Sequence, residues 1–235
     1  SDAVKSVYEK KNSGSSGGGK SSGSKSSGGV TSNVPLIPKN EQLPANTLET
    51  NYEKCVFKDM DDTAWARKAV EYLAEKNIVN GKEKSIFSPN ENVKREEFIA
   101  MLVRAFNLSS GKYFESDFVD VDESDWYYEY VKAAAYCGLV NGYEDGSFGA
   151  GRNITRQEMT AMLARCAEYS GVEFKELNEE TVFDDAELIA PYAAEYVKSL
   201  QRAGVINGID GSFKPNGFAT RAMAAKVIYG IMIME

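Results

Sequence analysis

Three arginines stand at the same place in three related stretches: Arg95 in Asn92-Val93-Lys94-Arg95-Glu96-Glu97-Phe98, Arg156 in Asn153-Ile154-Thr155-Arg156-Gln157-Glu158-Met159, and Arg221 in Phe218-Ala219-Thr220-Arg221-Ala222-Met223-Ala224. Each stretch opens an apolar pattern stepping by three and four, as in Met159, Met162, Leu163 and Cys166, so each arginine falls in the first turn of an expected helix. A cation there opposes the macrodipole by about 0.3–1 kcal/mol where it is exposed. One such residue would mean little. Three at one offset suggest that side-chain charge and free N–H groups of the helix end are pooled to hold an anion. Thr155 and Glu158 have a simpler reading as a capping box, in which the threonine oxygen accepts from the N–H three residues on and the glutamate reaches back to the threonine N–H.

Composition excludes several other chemistries. The chain has no histidine, which removes histidine-based triads and proton shuttles, and its three cysteines, Cys55, Cys137 and Cys166, have no metal-ligand spacing. Cys137 and Cys166 fall on apolar helix faces and read as small buried thiols. A net charge of −8 argues against nucleic acid, because that binding rests on a basic surface. Any anionic ligand must therefore be held by a few placed cations. No apolar run approaches the roughly 18 residues of a membrane span, so no membrane insertion is expected. No cofactor is implied.

The elements that must position these residues form a triplicated unit. Phe57-Lys58-Asp59 recurs as Phe118-Val119-Asp120 and as Phe183-Asp184-Asp185, and the same two offsets separate the three arginines. After each anchor comes an aromatic-led helix: Trp65 with Ala69, Val70 and Leu73, Trp126 with Val131 and Ala134, and Tyr192 with Tyr196, Val197 and Leu200. Asn77, Gly138 and Gly204 suit the left-handed conformation that ends a helix. Gly81, Gly142 and Gly208 follow. Asp145-Gly146-Ser147-Phe148 and Asp210-Gly211-Ser212-Phe213 read as turns followed by an aromatic plug, while Glu83-Lys84-Ser85-Ile86-Phe87 implies a different turn in repeat one. The arginine-bearing helix closes each unit. One helix pair buries too little to stand alone, so the repeats must pack on one another, as a pseudo-threefold arrangement or a short solenoid.

The chain opens at Ser1 without a methionine and reads as a piece of a longer protein. Residues 1–30, almost wholly Ser, Gly and Lys from Asn12 onward, read as a flexible linker spanning roughly 25–30 Å. Residues 31–54, interrupted by Pro35, Pro38 and Pro44, read as extended. The repeats then occupy 55–112, 113–178 and 179–235.

A unit of Phe-x-Asp, Trp-Ala, Gly-[Ile/Leu/Val]-Val-x-Gly, Asp-Gly-x-Phe-x-Pro and Thr-Arg-x-Glu resembles the S-layer homology repeat, and three in tandem resemble its complete anchoring module. The resemblance covers Phe57 to about Ile231. It implies a mainly α, three-pronged spindle whose inter-repeat grooves bind an acidic, often pyruvylated, secondary cell-wall polysaccharide, with no enzymatic activity. A monomer with internal pseudo-threefold symmetry at the bacterial cell surface, carrying an N-terminal cargo domain, is the expected setting. Repeat two matches Thr-Arg-x-Glu in full, although Ala150 replaces the usual proline. Repeat one has Lys94 in place of threonine, and repeat three has Met223 in place of glutamate and Tyr192 in place of tryptophan. The grooves are thus expected to differ, with Arg156 in the most complete one.

The glycan-binding set is Arg95, Arg156, Arg221, Glu97, Glu158, Trp65, Trp126, Tyr192, Gly81, Gly142 and Gly208. Beside it stand plainer readings. The helix-leading aromatics are ordinarily core, with sugar stacking the alternative. The glycines serve backbone geometry, or let a sugar approach the main chain. Asp59, Asp120 and Asp185 are expected to cap the following turn. The run Asp120-Val121-Asp122-Glu123-Ser124-Asp125 lacks the glycine and glutamate of an EF-hand loop, which disfavours calcium. Glu97 and Glu158 could in principle form a hydrolase pair, but the capping box already explains Glu158 and repeat three has no counterpart. The rival to anchoring is a protein-interaction or lattice-assembly module. Arg156→Ala is expected to weaken binding with little loss of fold.

Overall fold

The computed structural model describes residues 57–112 and 114–234, so the linker, the proline-containing segment and Cys55 lie outside the described residues. Six α-helices carry the fold: α1 (Ala64–Glu75), α2 (Arg95–Ala105), α3 (Tyr128–Tyr136), α4 (Arg156–Tyr169), α5 (Pro191–Arg202) and α6 (Arg221–Met232). Each repeat contributes two. Between them run loops with isolated β-bridges and, among the described residues, no sheet. No helix there is long and apolar enough to cross a membrane.

The leading helices end where the sequence places their stops. Asn77, Gly138 and Gly204 have φ of +58°, +74° and +72°, and the residue after each donates back to the last full turn: Ile78 N to Leu73 O at 2.9 Å, Leu139 N to Ala134 O at 2.8 Å, Val205 N to Leu200 O at 2.9 Å. These bonds satisfy carbonyls that a helix end would leave open. Each also turns a buried residue, Ile78, Leu139 or Val205, back onto the core.

Helix pairing runs between repeats. Helix α3 packs on α2, α5 on α4, and α1 returns to pack on α6, while α2, α4 and α6 touch one another. Just before those three helices the chain is extended, and its backbone closes a triangle: Val93 N donates to Ala219 O at 3.0 Å, Ala219 N to Ile154 O at 2.9 Å, and Ile154 N to Val93 O at 3.1 Å. Val93, Ile154 and Ala219 are fully buried. The contact of the last repeat with the first excludes an open solenoid, whose ends do not meet. One apolar cluster runs through all three repeats.

Inside each repeat the anchor phenylalanine lies on the plug phenylalanine, with ring centroids 5.3 Å apart for Phe57 and Phe87, and 5.7 Å for both Phe118 with Phe148 and Phe183 with Phe213. The anchor aspartates do accept backbone N–H groups, but not from the turn that follows them. Asp59 accepts from Phe87 N and Ser88 N, Asp120 from Phe148 N, Gly149 N and Ala150 N, and Asp185 from Phe213 N and Lys214 N, at 2.6–2.9 Å. The expected local cap is therefore a clasp on the plug of the same repeat. Burial pushes the Asp59 and Asp120 carboxyls up, and these N–H bonds outweigh it, leaving both below the ordinary value.

The turns before the plugs differ in all three repeats, including the two that share Asp-Gly-Ser-Phe. In repeat two Gly146 N closes on Tyr143 O, whereas in repeat three Ser212 N closes on Ile209 O with Asp210 and Gly211 both at positive φ. Repeat one closes Ile86 N on Glu83 O with Ser85 at φ +63°.

Candidate functional site: three composite grooves

Each motif arginine leaves its own repeat. Arg95 Nε donates to Phe148 O at 3.0 Å, Arg156 Nε to Phe213 O at 2.7 Å, and Arg221 Nε to Phe87 O at 2.9 Å. Each guanidinium also lies over the plug ring whose carbonyl it binds, 4.7–5.2 Å from the centroid. Repeat one thus latches onto two, two onto three, and three onto one. The plug is held from both sides, its N–H by the aspartate of its own repeat and its carbonyl by the arginine of the preceding one.

These contacts correct two expectations. The first helical N–H groups are not free for an anion: Arg95 N donates to Arg152 O, Arg156 N to Gly217 O and Arg221 N to Glu91 O, at 2.8–3.0 Å. The second turns inward as well, from Gln157 N to Pro215 O and from Ala222 N to Pro89 O. Further, Arg95, Arg156 and Arg221 are only 4%, 7% and 4% exposed. Replacing Arg156 therefore removes a buried latch, and the expected preservation of the fold does not follow from this geometry.

Because the arginine points one way around the ring and the motif glutamate the other, a single Thr-Arg-x-Glu motif serves two grooves. Glu158 meets Arg95, not Arg156: its Oε1 accepts from Arg95 Nη1 at 2.9 Å and from the Tyr143 hydroxyl at 2.7 Å. Its Oε2 accepts from Thr155 N at 2.9 Å and from the Thr155 hydroxyl at 2.7 Å, while that hydroxyl accepts from Glu158 N at 3.4 Å, so the capping box is present. Burial pushes the Glu158 carboxyl up, but Thr155, Tyr143 and the Arg95 charge hold it below the ordinary value. Arg152 lies 4.9 Å from the Tyr143 ring centroid, and an open depression there is lined by Gly142, Tyr143, Glu144, Asp145 and Arg152.

The groove between repeats three and one carries Arg221, whose Nη2 donates to Asn80 O at 2.8 Å. Here Lys82 bridges Glu97 at 2.8 Å and Glu91 at 3.1 Å. Glu97 also accepts from Lys94 N at 2.9 Å; a lysine side chain has no acceptor, so only half of a capping box forms. In the groove between repeats two and three no carboxylate among the described residues pairs with the arginine, and the anionic charge that reaches Arg156 is that of Asp185. Arg156 Nη1 sits 3.4 Å from the Met223 sulfur and Nη2 is 3.3 Å from Asn207 O. Burial lowers the pKa of both Arg156 and Arg221.

Trp65, Trp126 and Tyr192 are 51%, 57% and 47% exposed, which overturns their reading as core residues. In α1 the buried stripe is Ala66, Ala69, Val70 and Leu73, and Trp65 lies outside it. Tyr192 lies within electrostatic reach of Glu158, Tyr143 and Arg95, placing an aromatic of repeat three beside the groove of repeats one and two. The glycines have a packing reason. A Cβ on Gly142 would sit 2.5 Å from Phe118 Cε1, and Cβ atoms on Gly81 and Gly208 would sit 2.9 Å from Phe57 and Phe183. Their missing side chains make room for the anchors. The acidic run is spent on protein groups: Asp120 on the plug, Asp122 accepting from Ser124, and Asp125 from Asp122 N. Cys137 and Cys166 are buried free thiols, as expected.

Sequence reasoning missed Tyr143, Lys82 and Arg152. The first two follow the recurrent Asn-Gly, at Asn141-Gly142 and Asn80-Gly81, so their position was visible in the repeat. Its relation to the neighbouring repeat's glutamate was not.

The S-layer homology domain family matches residues 56–99, 117–160 and 182–225, more than half of the chain, and the chain belongs to that family. Amylopullulanase of Thermoanaerobacterium thermosulfurigenes is 38% identical over 184 residues, 77% of this chain and 10% of that protein. Exoglucanase XynX of Acetivibrio thermocellus is 36% identical over 179 residues, 75% of this chain and 16% of that protein. S-layer protein EA1 of Bacillus anthracis is 26% identical over 173 residues, 73% of this chain and 19% of that protein. The chain thus spans at most about a fifth of these relatives. Domains of this family are non-catalytic modules that generally bind secondary cell-wall polymers, and membership supports a cell-envelope anchoring role at the cell surface.

Proposed function

We propose that the three repeats form a pseudo-threefold spindle whose inter-repeat grooves bind an acidic, pyruvylated secondary cell-wall polysaccharide and so hold an N-terminal cargo domain on the bacterial envelope. The observation that carries this reading is the composite construction of each groove, in which an arginine of one repeat lies against the Asn-Gly turn or the glutamate of the next. A ligand spanning such a groove meets charge and backbone carbonyls fixed before it arrives, at little ordering cost. Glu97 and Glu158 orient their partners and accept sugar hydroxyls. Trp65, Trp126 and Tyr192, about half exposed, offer apolar faces to sugar rings. Where two grooves engage one polymer, the second contact is intramolecular and avidity follows.

The alternative of a protein-interaction or lattice-forming module would use exposed apolar residues such as Val119, Leu177, Val182 and Leu188. Calorimetric titration of the full chain with purified wall-polysaccharide fragments, before and after chemical removal of their acidic groups, separates the two. Acid-dependent binding supports anchoring through the grooves. Failure to bind either fragment favours the interaction module.

A further inference from the structure

We infer that Met223, standing where the other repeats carry Glu97 and Glu158, makes the groove between repeats two and three the one that reads the acidic group of the ligand. This rests on the groove reading above and reverses the order that motif completeness suggests.

The three grooves are an internal comparison. In all of them a buried arginine stacks on a plug ring and donates Nε to its carbonyl, and in all of them an anchor aspartate lies on the far side of that plug. They differ in what else faces the guanidinium. Arg95 is held by Glu158 at 2.9 Å, an ion pair whose side chains are only 5% and 18% exposed. Near Arg221, Glu97 and Glu91 are both bound to Lys82, so two added anions meet one added cation, Arg221 being the second. Arg156 has no carboxylate within ion-pair distance among the described residues. Its hydrogen-bonding neighbours are two carbonyls and a thioether, all neutral, and the anionic charge that reaches it is that of Asp185, which is already clasped to the plug N–H groups.

A buried charge without a directly bonded counter-ion is costly, and proteins ordinarily pair it. With Asp185 spent on the plug N–H groups, an incoming carboxylate at Arg156 supplies a direct ion-pair partner, whereas at Arg95 it must compete with Glu158 and share a site with a like charge. Grooves that are already neutralised match uncharged stretches of the same polymer. The exposed Arg152 adds a cation beside Tyr143, but solvent screens it. Met223 is partly buried at the edge of the core, so glutamine, of similar size, is the control for lost packing.

The test uses the full chain, wild type and with Met223→Glu or Met223→Gln, titrated with acidic wall-polysaccharide fragments and with the same fragments stripped of acid groups. Met223→Glu should lower affinity for the acidic fragment about tenfold or more, because the new carboxylate occupies Arg156 as Glu158 occupies Arg95. Met223→Gln, uncharged and of similar size, should lower it far less, and the loss from Met223→Glu should be several-fold smaller for the stripped fragment than for the acidic one. If Met223→Glu binds the acidic fragment as wild type does, while the acid groups still matter, the inference is overturned and groove binding survives. If wild type does not distinguish the two fragments, the acid-binding reading fails for every groove and takes the inference with it. A measurement on the unaltered chain covers the case in which Met223→Glu does not fold. Sodium pyruvate should shift the Arg156 Nε–H NMR signal and leave that of Arg95 in place, and the opposite pattern would refute the assignment.

Discussion

Arg221 closes the ring, and its removal should unfold the molecule more readily although it touches a residue 134 positions away. Its side chain is 4% exposed, donates to Phe87 O at 2.9 Å and Asn80 O at 2.8 Å, and stacks 4.7 Å from the Phe87 centroid. Two hydrogen bonds from a charged donor contribute about 1.5–3 kcal/mol each. The ring contact adds about 0.5–2 kcal/mol. Against these stands the desolvation of the guanidinium, which Arg221→Ala relieves. The net loss for Arg221→Ala should be about 2–4 kcal/mol, because two carbonyls lose their donors and the packed stem is gone. For a unit of this size each kcal/mol lowers Tm by roughly 2–4 °C. Arg221→Lys keeps the charge but cannot make both bonds while stacking, and should fall between the two. Urea unfolding of the three proteins gives the answer. A loss below about 0.5 kcal/mol, the range of ordinary surface substitutions, would refute the latch.

Three other outcomes follow from the same geometry. Gly142→Ala places a Cβ 2.5 Å from Phe118 and 2.7 Å from Ser147 O, and should lower stability by more than Gly138→Ala, which meets nothing within 4 Å and bears only the positive-φ cost of about 1 kcal/mol; denaturation midpoints of the pair compare them. Trp126→Ala or Tyr192→Ala should leave the unfolding midpoint almost unchanged and weaken polysaccharide binding, and a pattern with stability lost and binding kept would return these rings to a structural role. Glu158, Glu97, Asp59 and Asp120 have folded pKa values below the ordinary 4.5 of glutamate and 3.8 of aspartate. Their stabilisation is therefore complete above those values and lost as pH falls through the lower, folded ones. Unfolding free energy should be flat from neutrality to about pH 5 and fall below it, with Glu158→Gln showing a shallower decline.

Local rules made part of this molecule legible. The spacing of Phe57, Phe118 and Phe183 gives the repeats, the apolar steps give the helices, and Asn77, Gly138 and Gly204 stop helices where only a left-handed residue fits without strain. Thr155 and Glu158 form the capping box that their spacing implies. What was not legible is which repeat each face meets. Periodicity shows that α1 has an apolar stripe, but a stripe of Ala, Val and Leu fits α2 or α6 alike, and only the structure shows that it meets α6. The same gap hides the direction of the arginines. In sequence Arg156 and Glu158 are two residues apart, yet a two-residue step turns a helix by about 200°, so they serve different grooves. Trp65 looked like core because its ring is large and apolar. Its place beside the stripe of Ala66, Ala69 and Val70 puts it outside.

The central claim is that ligand sites are built between repeats and belong to none of them singly. Amide chemical-shift mapping of the isotopically labelled full chain with an acidic wall-polysaccharide fragment tests it most directly. The account predicts paired changes, in which the turn at residues 207–209 responds together with the start of α4, or the turn at 142–145 together with the start of α2. Changes confined to the outer face of a single repeat, with the arginine-bearing helix starts silent, would contradict it.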